Sequence, residues 1–282
     1  MTFRKVRSLD LAVIISFSLL APASAEPLST SWVAAHGARA RLIAGHVDGL
    51  SNGKADLWAG VEIQLDPGWK TYWRRPGDSG GLPPHFDWSR SKNIKAVTVL
   101  YPAPRRFKDA IGDSVGYSGA VLFPVKFQRE NEAASAVLHL SFQYGICREI
   151  CIPAEAEFAL TIPPHIEGAS PEISAALAQV PRPQRRPEDP ELISREAKLE
   201  DQPPKLVLEA RFPKSADTAD MFIEAEGSTY VPLPVKTGAE GDTVRFEVDL
   251  SEGLELDELR GANLTITMVS ERGQAEATWK LP

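Results

Sequence analysis

The chain has 282 residues, with 31 Lys+Arg against 38 Asp+Glu and a formal net charge of −7. That balance argues against a nucleic-acid binder, which needs a basic stripe to meet phosphates. Hydrophobic residues at 43% allow a core, and two cysteines exclude both a four-thiolate zinc site and a disulfide-dense scaffold, leaving at most one bridge.

Arg4, Lys5 and Arg7 precede the apolar run Leu11 to Leu20, and Ala23-Ser24-Ala25 supplies a small-residue cleavage site. This pattern predicts a cleavable secretory signal peptide over residues 1–25, with Glu26 as the mature N-terminus. The apolar run is short for an anchor, and no later segment reaches 18 apolar residues, so no membrane span is expected in the mature chain. Export would bring the cysteines to an oxidising compartment, where they can pair.

Next comes a β-rich part. Leu57, Ala59, Val61, Ile63 and Leu65 alternate with Asp56, Trp58, Gly60, Glu62 and Gln64, the period of a half-buried strand. Leu138, Leu140, Phe142, Tyr144 and Ile146 repeat the pattern, as do Ala156, Phe158, Leu160 and Ile162. Turn signals such as Asp66-Pro67-Gly68 and Arg75-Pro76-Gly77 separate such runs, which predicts an antiparallel sandwich. Within it, Gly77-Asp78-Ser79-Gly80-Gly81 looks like the nucleophile segment of chymotrypsin-like proteases, and Ala34-Ala35-His36 like their histidine segment. Only 43 positions separate His36 from Ser79, too few for the two barrels that unite those groups. The stretch Pro76 to Gly81 is therefore read as a turn after the strand carrying Trp69, Thr71 and Trp73.

Cys147-Arg148-Glu149-Ile150-Cys151 comes at the end of the second alternating run. A straight strand would hold the two Cα atoms about 13 Å apart, and a disulfide needs them within about 7 Å. Either the chain turns between them or they never pair. Pro153 restricts its own segment to an edge strand or a strand start. If Leu138 to Ile146 face inward, Cys147 continues the outward series His139, Ser141, Gln143, Gly145, where a partner thiolate could reach its sulfur. A staple closing so short a loop removes little chain entropy, so a purely structural purpose is less attractive.

Residues 164–192 carry several prolines with Arg182, Arg185 and Arg186, and are read as a linker. One short helix, Pro171 to Val180, fits inside it with Ser170 as N-cap. Alternation resumes at Leu206/Leu208/Ala210/Phe212, Val244/Phe246/Val248/Leu250 and Leu264/Ile266/Met268, enough for a second, smaller β-sandwich over residues 193–282. The histidines His36, His46, His85, His139 and His165 show no ligand spacing, so no metal and no cofactor is expected.

Several motifs together resemble the amino-terminal periplasmic domain of the DsbD/ScsB thiol–disulfide reductase family. They are the run Pro67 to Gly80, Pro83-Pro84, Trp88, the run Tyr101 to Phe107, Gly116-Tyr117-Ser118-Gly119, and above all the run Tyr144 to Ala156. They span roughly residues 38–163, inside a domain taken as residues 26–163. The resemblance implies an immunoglobulin-like sandwich whose Cys147–Cys151 pair carries out exchange, with Cys151 at the position of the family's more reactive cysteine. It implies that Tyr144 borders the pair, that Asp109 and Ile111 belong to a loop shielding it, and that the protein is periplasmic. Family members place an aromatic side chain over the disulfide where this chain has Ala110 and Ile111. A thioredoxin-like or membrane-embedded thiol donor would have to be another protein, and the clients would be periplasmic disulfide-containing proteins. The rival reading is a non-catalytic β-sandwich adaptor, for a secreted partner or linked to copper tolerance, with a structural disulfide.

Overall fold

The computed structural model describes residues 28–51, 54–109, 112–166, 169–184, 186–227, 229–251 and 256–282. The predicted signal peptide lies outside them. The first half holds β1 (Leu28–Ser29), β2 (Val33–Ala35), β3 (Ala38–Ser51), β4 (Lys54–Leu65), β5 (Lys70–Gly77) and β6 (His85–Asp87). It continues with β7 (Ile94–Val99), β8 (Arg105–Asp109), β9 (Gly112–Ser118), β10 (Ala120–Arg129), β11 (Ala136–Cys147) and β12 (Cys151–Ile162). One sheet runs β1-β3-β4-β10-β7 with β2 on β3; the other runs β12-β11-β5-β9-β8 with β6 on β11. Their pairings are antiparallel, so the first half forms the antiparallel sandwich that its period-two alternation predicts, of the immunoglobulin-like kind that the family resemblance implies.

Alternation also decides what fills the space between the sheets. Leu138, Leu140, Phe142, Tyr144 and Ile146 of β11 are fully buried, facing Val61, Ile63 and Phe123 of the other sheet within one core. Each such aliphatic or aromatic side chain contributes roughly 1.5–3 kcal/mol by leaving water. Phe142 stacks on Tyr144 at 4.6 Å and on Phe86 at 4.9 Å, and Phe123 meets Phe86, Tyr101 and Tyr117 edge-on. This aromatic cluster gives β11 a rigid bed.

The stretch read as a linker contains α1 (Pro171–Ala178). Its N-cap is Ser170, whose Oγ accepts the Ile173 N–H at 3.3 Å, and Pro171 opens the first turn. The helix is docked rather than free. Ile173 and Leu177 pack on Ile43, Val47 and Trp58, on the outer face of the first sheet. The Ser170 N–H also donates to His46 O at 2.8 Å.

The second half holds β13 (Glu191–Lys198), β14 (Lys205–Arg211), β15 (Asp220–Ala225), β16 (Val235–Glu240), β17 (Thr243–Asp249), β18 (Asn263–Val269) and β19 (Gln274–Lys280). A four-stranded sheet, β13-β14-β17-β16, covers a three-stranded one, β15-β18-β19, over a core that includes Leu208, Phe212, Phe246, Ile266 and Met268.

The two halves meet along a specific seam. Phe222 of β15 packs on Trp73 of β5 at 5.6 Å and belongs to the first core. Around it, Arg74 binds Glu224 at 2.6 Å and Glu276 at 2.6 Å, and Arg106 binds Asp220 at 2.7 Å. Tyr230 Oη donates to Asp78 Oδ1 at 2.6 Å, and the Leu233 N–H reaches the same oxygen at 3.0 Å.

Candidate functional site

β11 and β12 form one long hairpin whose last paired residues are Cys147 and Cys151. The three residues between them make the turn that the spacing requires, with the Arg148 N–H donating to Ile150 O at 3.3 Å. The Cα atoms stand 4.1 Å apart and the sulfurs are bonded. Pro153 is tolerated because β12 is the edge strand of its sheet.

The two cysteines differ in exposure. Cys147 is 6% exposed, whereas Cys151 is exposed. This corrects the expectation of an accessible Cys147 sulfur. The outward side of β11 is covered here. At Gly145 the Leu82 carbonyl accepts the backbone N–H at 3.0 Å, and Lys70 of β5 stands opposite Cys147. Of the two cysteines, Cys151 is therefore the one open to a partner.

The Tyr72 ring lies beside the pair. Its hydroxyl is 2.8 Å from Cys151 Sγ. A disulfide sulfur carries no proton, so the phenol donates. Two glycines make the slot for this ring. A Cβ on Gly81 would come within 2.4 Å of it, and one on Gly145 within 2.9 Å. Gly81 also holds φ +149°, a conformation open to glycine and strained for other residues. Burial first, and then the nearby Asp109 carboxylate, push the Tyr72 pKa above its usual value, so the group stays protonated at neutral pH.

The β8–β9 hairpin supplies the other flank. Asp109 and Lys70 form a short ion pair, and Lys70 Nζ also donates to Ser114 Oγ at 2.8 Å while lying 5.5 Å from the Phe107 ring centre. Burial opposes ionisation of Asp109, but hydrogen bonds from Lys70 and Ser114 outweigh it and hold the carboxyl below its ordinary value. A depressed carboxylate stabilises the fold above the unfolded pKa, about 3.9, and that contribution is lost as pH falls through the folded pKa. Asp109→Asn should therefore lower the thermal midpoint at pH 7, by an amount that shrinks as the pH is lowered; a loss that does not change with pH would rule out the ion pair as the cause.

Of the other residues singled out in the sequence, Tyr144 lies in the core. Its ring stacks on Phe142, and burial raises its pKa to about 12. Among the described residues its hydroxyl meets no hydrogen-bonding partner. Ile111 lies outside the described residues. Tyr72 was not singled out by sequence reasoning, and the Pro76–Gly81 stretch, read as a plain turn, has Gly81 against the Tyr72 ring. The available signal was Gly145 interrupting an otherwise bulky strand, which often marks a close approach by another group.

Two apolar side chains are exposed at the site: Ile150, in the turn before Cys151, and Leu82, whose backbone pairs with Gly145. Among the described residues no cluster of three or more His, Cys, Asp or Glu is placed to hold a metal ion, and no helix is long and apolar enough to cross a membrane.

Residues 47–163 match the family model described as thiol:disulfide interchange protein DsbD, N-terminal. The fold is similar to the crystal structure of the N-terminal periplasmic domain of ScsB from Proteus mirabilis, with a TM-score of 0.68 and 21% sequence identity. That likeness covers 91% of this chain and 99% of the other, so it spans both halves. At this identity it carries the fold and not the chemistry. No curated protein matches the chain.

Proposed function

We propose that this chain relays electrons in the periplasm through Cys147 and Cys151, a reading supported by the match of residues 47–163 to the DsbD amino-terminal family model, for which thiol–disulfide exchange is the family-level activity. The observation that carries this reading is the bonded pair at a hairpin tip, with Cys151 exposed and a phenol donor on its sulfur. In the reductive half, a donor thiolate attacks Cys151 Sγ. The Cys147–Cys151 bond breaks, and Cys147 leaves as a thiolate that takes up a proton. The donor's second thiolate then displaces Cys151, so the donor becomes a disulfide and the pair holds two electrons and two protons. In the oxidative half, the Cys151 thiolate attacks a client disulfide, and Cys147 resolves the mixed disulfide and releases the reduced client.

Tyr72 serves both halves by donating to the Cys151 sulfur, because a hydrogen bond to the charged form favours it. Ile150 and Leu82 offer a partner apolar contact next to the reacting atom. The donor is a thioredoxin-like or membrane-embedded dithiol and the client a periplasmic disulfide, since exchange needs a thiol pair on each side.

The test incubates the oxidised protein with a reduced thioredoxin-like protein and counts free thiols by alkylation. Full reduction by the donor is expected. If the pair stays oxidised at potentials well below about −300 mV, the bond is a structural staple and the relay is wrong. Tyr72→Phe, which keeps the ring and removes the donor, should slow alkylation of reduced Cys151 at pH 7 by about threefold to tenfold, with the rate profile displaced to higher pH.

A further inference from the structure

The same strands that hold the disulfide's neighbours also hold the second half of the chain. On β5, Lys70 and Tyr72 face the site while Arg74 and Arg75 reach across the seam; on β8, Phe107 and Asp109 flank the site while Arg106 binds Asp220. Between β5 and β6 lies the segment 78–82, and its contacts run in one line. At one end Asp78 accepts from the Tyr230 hydroxyl at 2.6 Å and from the Leu233 N–H at 3.0 Å. In the middle the Ser79 N–H donates to Asp113 O at 3.1 Å. At the other end Gly81 lies against the Tyr72 ring and Leu82 O pairs with Gly145 N. The seam is not packed solid behind this segment. A cavity of about 370 Å³, lined in part by Pro76, Gly80, Tyr230 and Leu233, separates it from β15. Hydrogen bonds to Asp78, rather than close packing, tie this segment to the second domain.

We infer that the second β-sandwich is a positioning element for the redox pair: Tyr230 and Leu233 clamp Asp78, the clamped segment closes the glycine slot, and the slot keeps the Tyr72 hydroxyl on Cys151. This rests on the relay reading for its purpose, though the clamp itself can be measured without a partner. Tyr230 and Asp78 act through Tyr72 and touch neither sulfur. The chemistry requires only that the phenol stay within hydrogen-bond distance of the thiolate, which a loosened slot would not ensure.

The experiment measures alkylation of Cys151 at pH 7 in full-length protein reduced beforehand with a phosphine, site by site by mass spectrometry. Cys151 is already exposed, so releasing the segment adds little access and the rate reports the Tyr72 contact. Asp78→Ala should slow alkylation by about threefold to tenfold, matching Tyr72→Phe, and the double variant should be no slower than either single. Asp78→Asn retains the accepting oxygen and should restore most of the rate. Tyr230→Phe, which cannot empty a core position, should fall between the two. Thermal midpoints check that each variant is folded. A wild-type rate in Asp78→Ala, or additive losses in the double variant, would overturn the clamp. So would equal losses in Asp78→Ala and Asp78→Asn. Failure of the donor to reduce the wild-type pair would instead strike the relay reading and leave these rates unaffected.

Discussion

Cys151→Ala should abolish disulfide exchange with a thioredoxin-like donor, a loss on the order of a thousandfold or more, because it removes the sulfur that both half-reactions attack through. The fold should survive. The bond closes a hairpin already held by strand pairing along β11 and β12, and so short a loop is worth about 2 kcal/mol at most in the chain-entropy account. Cys147→Ala should behave differently. It leaves the exposed nucleophile and removes the group that resolves it, so mixed disulfides with donor or client should accumulate in cells. Non-reducing gels probed for the protein distinguish the outcomes. Traps with Cys151→Ala and none with Cys147→Ala would reverse the order of attack, and traps with neither would end the relay.

Arg74→Ala should be the most damaging change outside the cysteines. Arg74 is shared by Glu224 and Glu276 and lies over Trp73, and these contacts raise its pKa well above the usual arginine value against the opposing effect of burial. Removing it leaves two carboxylates facing each other at the seam, where Arg75, 3.7 Å from Glu224, compensates only in part. Breaking a fully buried pair from one side costs about 3–5 kcal/mol, and this half-buried cluster should lose less than that. The two sandwiches have separate cores apart from Phe222 and Val269, so calorimetry should resolve one cooperative transition into two. A single unshifted transition would show that the apolar contact of Trp73 and Phe222 holds the seam alone.

The range of each interaction decides how much of this was legible in the sequence. The strands and their inward faces were readable, because alternation between Leu57 and Leu65 or Leu138 and Ile146 is local and burial enforces it. The turn between Cys147 and Cys151 was one of two open outcomes, since spacing limits geometry without choosing it. The exposure of Cys147 was misjudged. Parity along β11 says which side a residue takes, but not that the Leu82 backbone and the Tyr72 ring, more than 60 positions away, lie on that side. Tyr72 sits in a strand rich in aromatic residues and nothing local separates it from Trp69 or Trp73. The seam was invisible for the same reason: Arg74 and Glu224 are ordinary surface residue types until the fold makes them partners. The family resemblance pointed to the Cys147–Cys151 segment and could not supply those contacts.

The hairpin that carries the sulfurs has a mechanical consequence. β11 and β12 stay in register from Ala136↔Ile162 up to the cysteines, over an aromatic bed fixed from below. Opening the bond therefore unlatches the last rung of a ladder whose other rungs remain engaged. The two sulfurs can separate by little, so the reduced pair stays preassembled to close again. In the proposed relay each turnover would then need almost no rearrangement of the backbone, and the chain would cycle between its two oxidation states as a nearly rigid body.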